Sequence, residues 1–125
     1  MNITTIELPI YYLDLVLVID QDWSKYNKKF KLGLSEADYL ARAWTIHDDS
    51  GENDNEIFLL LKPDNLDYWT ICHELYHIIT KICLCRGIDQ DPKNDEPLAY
   101  LQAYIGQEIF KFRDKYVKEN KTLLG

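Results

Sequence analysis

Hydrophobic residues fall into short continuous runs in the first half of the chain and into helical spacing in the second. Tyr11 to Asp20 reads YYLDLVLVID, a β-branched and aliphatic run closed by Asp20, Gln21 and Asp22, and it predicts a strand buried on at least one face. Ser35 ahead of Glu36 and Asp38 reads as an N-cap with acidic first-turn residues, which predicts a short helix over residues 36–43. Ala43 to His47 and Glu56 to Lys62 are strand-like and flank Asp48 to Asn55, a stretch of turn formers with Gly51 inside it. That pattern predicts a hairpin with a long acidic tip. Pro63 ends the second strand, Asp64 or Asn65 is placed to cap a helix from about Leu66 to Arg86, and Gly87 suits the left-handed position after it. A second long helix is predicted from Asp95 to about Glu119, with Pro97 tolerated in its first turn. Leu98, Leu101, Ile105, Ile109, Phe112 and Tyr116 recur at three-to-four spacing and give this helix one core-facing side.

The 125 residues suffice for one domain, covering 1–125, and the 46% hydrophobic and 28% charged content is that of a globular chain with a real core. There are no internal repeats, low-complexity segments or linkers. The balance of 21 acidic against 14 basic residues leaves a formal charge of −7, which repels phosphate backbones and excludes nucleic acid as an expected partner. The most apolar stretch, Leu8 to Ile19, is broken by Pro9 and Asp14 and falls short of the roughly 20 residues that span a bilayer, so no membrane partner is expected. No basic n-region precedes it, since the first basic residue is Lys25; a cytoplasmic location is the expectation. Three cysteines, Cys72, Cys83 and Cys85, fit reduced thiols there.

Within the first long helix stands His73-Glu74-Leu75-Tyr76-His77, an HExxH sequence. Residues four apart share a helical face, so both imidazoles can reach one metal ion with Glu74 beside them. A catalytic zinc needs a third protein ligand and an open position for water. Glu96 is the leading candidate: it stands 19 residues after His77, past Gly87 and a polar loop, where an antiparallel return brings it back beside the histidines. Asp95 is its nearest competitor, and a favourable charge at a helix N-terminus is the bland alternative for Glu96. Tyr100 and Tyr104 follow at four-residue steps, and either phenol is able to donate to a substrate carbonyl oxygen or a ligand carboxylate.

HELYH followed by NDEPLAYLQAY resembles the gluzincin metallopeptidases, especially the minimal gluzincins and the small HExxH proteins of phages and prophages. The resemblance covers a quarter to a third of the chain. It implies a zinc held by His73, His77 and Glu96, with Glu74 as general base, and a three- or four-stranded sheet over the helices. It also implies an exposed sheet edge that pairs with an extended peptide, for which Ile57 to Leu61 is the strand in position. The third histidine of metzincins is absent, and Tyr100 stands where many gluzincins carry an aspartate. The chemistry implied is hydrolysis of a peptide or protein substrate by a zinc-activated water, with Glu74 moving its proton to the leaving amine. Tyr100 is a further catalytic candidate. The fold expected is α+β, a small and mainly antiparallel sheet packed on the HExxH helix and the glutamate-bearing helix with zinc between them, forming one zincin-like domain.

Other residues carry weaker signals. His47, at a strand end beside the acidic tip, is a candidate second electrophile or partner of a ligand. Tyr76 belongs to a chain of nine tyrosines and reads first as packing. Cys83-Leu84-Cys85 is not a zinc spacing, and the three cysteines read as small buried hydrophobes. Lys25 to Lys31 reads as a solvated surface, and the tip Asp48 to Asp54 lacks the ligand order of a calcium loop. Two rival functions stand beside the peptidase: a metal-binding or protein-interaction module that keeps the scaffold without turnover, and hydrolysis of a cell-wall amide, against which the missing export signal counts.

Overall fold

A computed structural model describes residues 2–47 and 55–124. The acidic tip Asp48–Asp54, with its calcium alternative, lies outside these described residues. The chain runs through β1 (Ile3–Leu8), β2 (Leu13–Ile19), α1 (Ser24–Phe30), β3 (Ala43–His47), β4 (Glu56–Leu61), α2 (Tyr68–Arg86) and α3 (Glu96–Leu124). The class is α+β, as expected. The four strands form one sheet in the order β1-β2-β4-β3.

This sheet is mixed: two of its three pairings are antiparallel, in keeping with the mainly antiparallel sheet expected, and one is parallel. β1 and β3 run antiparallel to their neighbours, but the central pair is parallel, with Leu17 opposite Leu59 and Val18 opposite Leu60. The reason lies in burial. β2 and β4 are apolar at nearly every position because both of their faces are covered, the usual condition of parallel strands. Leu15, Leu17, Ile19, Ile57, Leu59 and Leu61 point to α2 and α3, whereas Val16, Val18, Phe58 and Leu60 meet Trp23, Tyr26 and Leu32 on the other side. A second consequence corrects the expected edge: Ile57–Leu61 lies inside the sheet, and the edge strand of the hairpin is β3.

The boundaries shift for local reasons. The strand expected from Tyr11 begins at Leu13, because Pro9–Tyr11 forms a 3-10 turn and Tyr12 takes a left-handed φ of 52°. β1 was not evident from apolar content, since only Ile6 and Leu8 of its six residues are buried. The helix expected over 36–43 is a single 3-10 turn, Asp38–Leu40, in which the Ser35 N–H donates to Asp38 Oδ2 at 2.8 Å and the Asp38 N–H donates to Ser35 Oγ at 3.4 Å. Helix α1 instead occupies the lysine patch, where Trp23 and Tyr26 supply the buried side that Glu36 to Ala43 lack.

Helix α2 starts two residues later than expected because Asp67, not Asp64 or Asn65, caps it: Asp67 Oδ2 accepts from the Thr70 N–H at 3.0 Å. It ends at Gly87, whose φ of 63° closes the last turn onto the Cys83 carbonyl. Ile71, Ile78 and Ile82 are fully buried against the sheet, each contributing about 1.5–3 kcal/mol of hydrophobic stabilisation. Arg86 ties the last turn down, with Nε donating to the Tyr11 carbonyl at 2.6 Å and Nη2 to the Tyr12 carbonyl at 2.8 Å. α3 returns antiparallel to α2, so that Tyr68 meets Phe110 and Arg113 while Leu75 meets Gly106. Its Leu101, Ile105, Ile109 and Phe112 join the core at the spacing read from the sequence, with Leu98 and Tyr116 half-buried beside them.

Two stability predictions follow from this packing. A Cβ on Gly106 would stand 3.2 Å from Leu75 Cδ2, so Gly106→Leu overpacks the α2–α3 contact and is expected to cost about 1–3 kcal/mol in urea unfolding. An unchanged midpoint would show that the helices do not meet there. Asp20, which fastens β2 to α1, is the second site. Burial raises its pKa, but hydrogen bonds from the Asp22 N–H, Asn2 and Tyr26 outweigh this and hold it below the ordinary 3.8. A depressed folded value means that the contribution is complete above pH 3.8 and is lost as pH falls through the folded value. The stability gap between wild type and Asp20→Asn is therefore expected to shrink below that pH, and a gap constant with pH would refute it.

Candidate metal centre

The rotation of α2 decides where its polar residues go. With Ile71, Leu75, Ile78 and Ile82 turned into the core, successive steps of about 100° per residue carry His73 and His77 to the solvent side and leave Glu74 on the flank toward β3. Both histidines are exposed and Glu74 is buried, at 7% exposure. Its burial is satisfied by the edge strand, because Thr45 Oγ1 donates to Glu74 Oε2 at 3.2 Å. Thr45 was invisible to sequence reasoning, since nothing in a strand of five residues says which side chain meets the helix.

The ligand-type atoms of His73, Glu74 and His77 all lie within 4.8 Å of one another, enough to hold a metal ion. The two Nε2 atoms are 3.3 Å apart. Zinc–nitrogen bonds of about 2.0–2.1 Å place tetrahedral neighbours about 3.3–3.4 Å apart, so the imidazoles sit at the separation one zinc ion requires. Serving as ligands requires both Nε2 atoms free of protons, which puts the ring protons on Nδ1. The three groups line a cleft of about 390 Å³ together with Ala43, Trp44, Thr45 and Lys81, so the edge strand β3 and the HExxH motif border one opening.

Glu96 is the exposed first residue of α3 and stands outside the three-residue cluster. Asp95 lines a different cleft, between the two helices, with Tyr76, Ile79 and Leu98. Tyr100 is exposed on α3 and does not border the histidine cleft. Tyr104 lines the groove between α3 and β1, which no residue of α2 borders. Tyr76, also exposed, stands edge-on to His77 with ring centroids 6.4 Å apart.

His47 belongs to a neighbouring small cleft, where its Nε2 lies 3.2 Å from Cys85 Sγ and Lys81 connects this cleft to that of His73, Glu74 and His77. Of the cysteines, Cys83 is a core residue as expected, whereas Cys72 is exposed and Cys85 is half-buried beside His47. The departure of Cys72 follows from its place on the same turn as His73, one step beyond Ile71 on α2.

Comparisons with protein-family models, curated proteins and solved structures give no match. Among the described residues no helix is long and apolar enough to cross a membrane.

The bond from Thr45 to a buried carboxylate yields a prediction. Thr45→Val keeps the shape and removes the donor, so it is expected to destabilise the protein by about 1–3 kcal/mol in denaturant unfolding. A change within error of zero would mean that Glu74 is satisfied from solvent instead.

Proposed function

We propose that this chain is a zinc-dependent hydrolase of peptide bonds. The observation that carries this reading is the convergence of His73, Glu74 and His77 within 4.8 Å, beside the edge strand β3. His73 and His77 hold the metal through Nε2, and Glu96 or Asp95 completes the ligand set. Zinc, when bound, supplies a Lewis acid for the scissile carbonyl and lowers the pKa of water. Glu74 is the general base: with Oε2 held by Thr45, Oε1 accepts the proton of the attacking water and then delivers it to the leaving amine. The backbone of β3 positions an extended peptide by adding it as a further strand, the role the resemblance had pointed to in the Ile57–Leu61 segment.

A metal-binding or interaction module without turnover is the second reading. It is favoured by the confinement of the cluster to α2 and by the engagement of Glu74 with Thr45.

Metal analysis joined to turnover separates the two. About one zinc per chain is expected, lost in His73→Ala and His77→Ala, and whichever of Glu96→Ala and Asp95→Ala also loses it names the third ligand. Glu74→Gln is expected to keep zinc and to lower peptide cleavage about 10²- to 10⁴-fold. Zinc retained with no cleavage by the wild type on a peptide library supports the module, and no zinc uptake at all refutes both.

A further inference from the structure

We infer that Trp69 is a positioning residue of the metal centre, its indole fixing the plane in which His73 presents Nε2 beside His77. The inference rests on the metal reading above. Trp69 precedes His73 by four residues, so one turn of α2 sets the two rings over each other. Their centroids are 5.3 Å apart and their planes differ by 15°, an offset stack, while His73 and His77 meet edge-on at 73°. Three rings thus form one row along the helix, and the Nε2 pair closes it.

Two further observations give the stack a purpose beyond packing. A histidine that ligates a metal ordinarily donates its other ring N–H to a carboxylate or carbonyl, which fixes its orientation. Among the described residues neither His73 nor His77 has such a partner, since the contact between their Nε2 atoms is the one hydrogen-bond distance their rings make. The orientation of His73 is therefore left to its ring contacts. Trp69, for its part, is 73% exposed whereas Trp23 of the same chain is 1% exposed, so core packing does not account for it. A broad apolar ring held at the surface against an imidazole restricts that ring without burying it and leaves Nε2 facing solvent.

The test uses the full chain, zinc itself and two variants. An aromatic stack of about 0.5–1.5 kcal/mol corresponds to a change of about two- to twelvefold in affinity. Trp69→Ala is expected to weaken zinc binding by that factor in competition with a chromogenic chelator, and Trp69→Phe, which keeps an aromatic face, to recover most of it. In the metal-free protein, proton NMR should show His73 ring resonances shifted by the indole ring current in the wild type and returned to ordinary positions in Trp69→Ala. Zinc binding by the wild type with equal affinity in Trp69→Ala overturns the positioning role and leaves the metal reading intact. No zinc binding by the wild type overturns both.

Discussion

The docking of one helix face on one sheet face sets the remainder of the structure. Ile71, Ile78 and Ile82 are removed from water against β2 and β4, and this seam fixes the rotation of α2 about its own axis. Once those residues are inside, every other side chain of the helix has a set direction. The histidines go outward, Glu74 goes toward β3, and Leu75 and Ile79 go toward the core shared with α3. The site is thus a by-product of core packing, and its precision is that of the core.

The same economy explains why the site mixes exposed and buried groups. Imidazoles tolerate exposure at little cost, whereas a carboxylate in a cleft needs a donor. Thr45 supplies it from the edge strand, so the group proposed to move protons is oriented from outside its own helix. Lys81, one turn beyond His77, adds a positive charge at the cleft margin in a chain of net charge −7.

Elements with strong periodicity and end signals were legible in the sequence. The Leu101 to Phe112 face of α3, the Gly87 stop and the β3–β4 pairing all appear because local chemistry and tertiary packing agree there. Elements that depend on distant partners were not. Nothing in Ile3–Leu8 shows that β2 requires a neighbour, and nothing in the run Glu56–Leu61 tells an edge strand from a central one until its second face is seen to be covered by Trp23 and Tyr26. The motif HELYH was legible because its geometry is internal to one helix; Thr45 was not, because its role exists only across the interface. Trp69 lay in plain view at four-residue spacing, yet sequence alone does not show that the ring stacks on His73 rather than turning into the core. Glu96 shows the limit of spacing: the distance from His77 is right for a return, but the helix begins at that very residue and leaves it at an exposed end.

Arg86 has a mechanical meaning beyond its hydrogen bonds. Its guanidinium grips the carbonyls of Tyr11 and Tyr12 and the Asn55 side chain, joining the end of α2 to the turn before β2 and to the residue before β4. The isoleucine seam sets the rotation of α2, and these polar bonds add a directional tie at its end. Screwing the helix by one residue moves it only about 1.5 Å but turns it by about 100°, enough to carry Glu74 off Thr45 and to swing the histidines away from the cleft. Burial of the isoleucines opposes this motion, and the guanidinium adds a detent against it at the helix end. Seam and detent together hold the face bearing HELYH in a single angular setting.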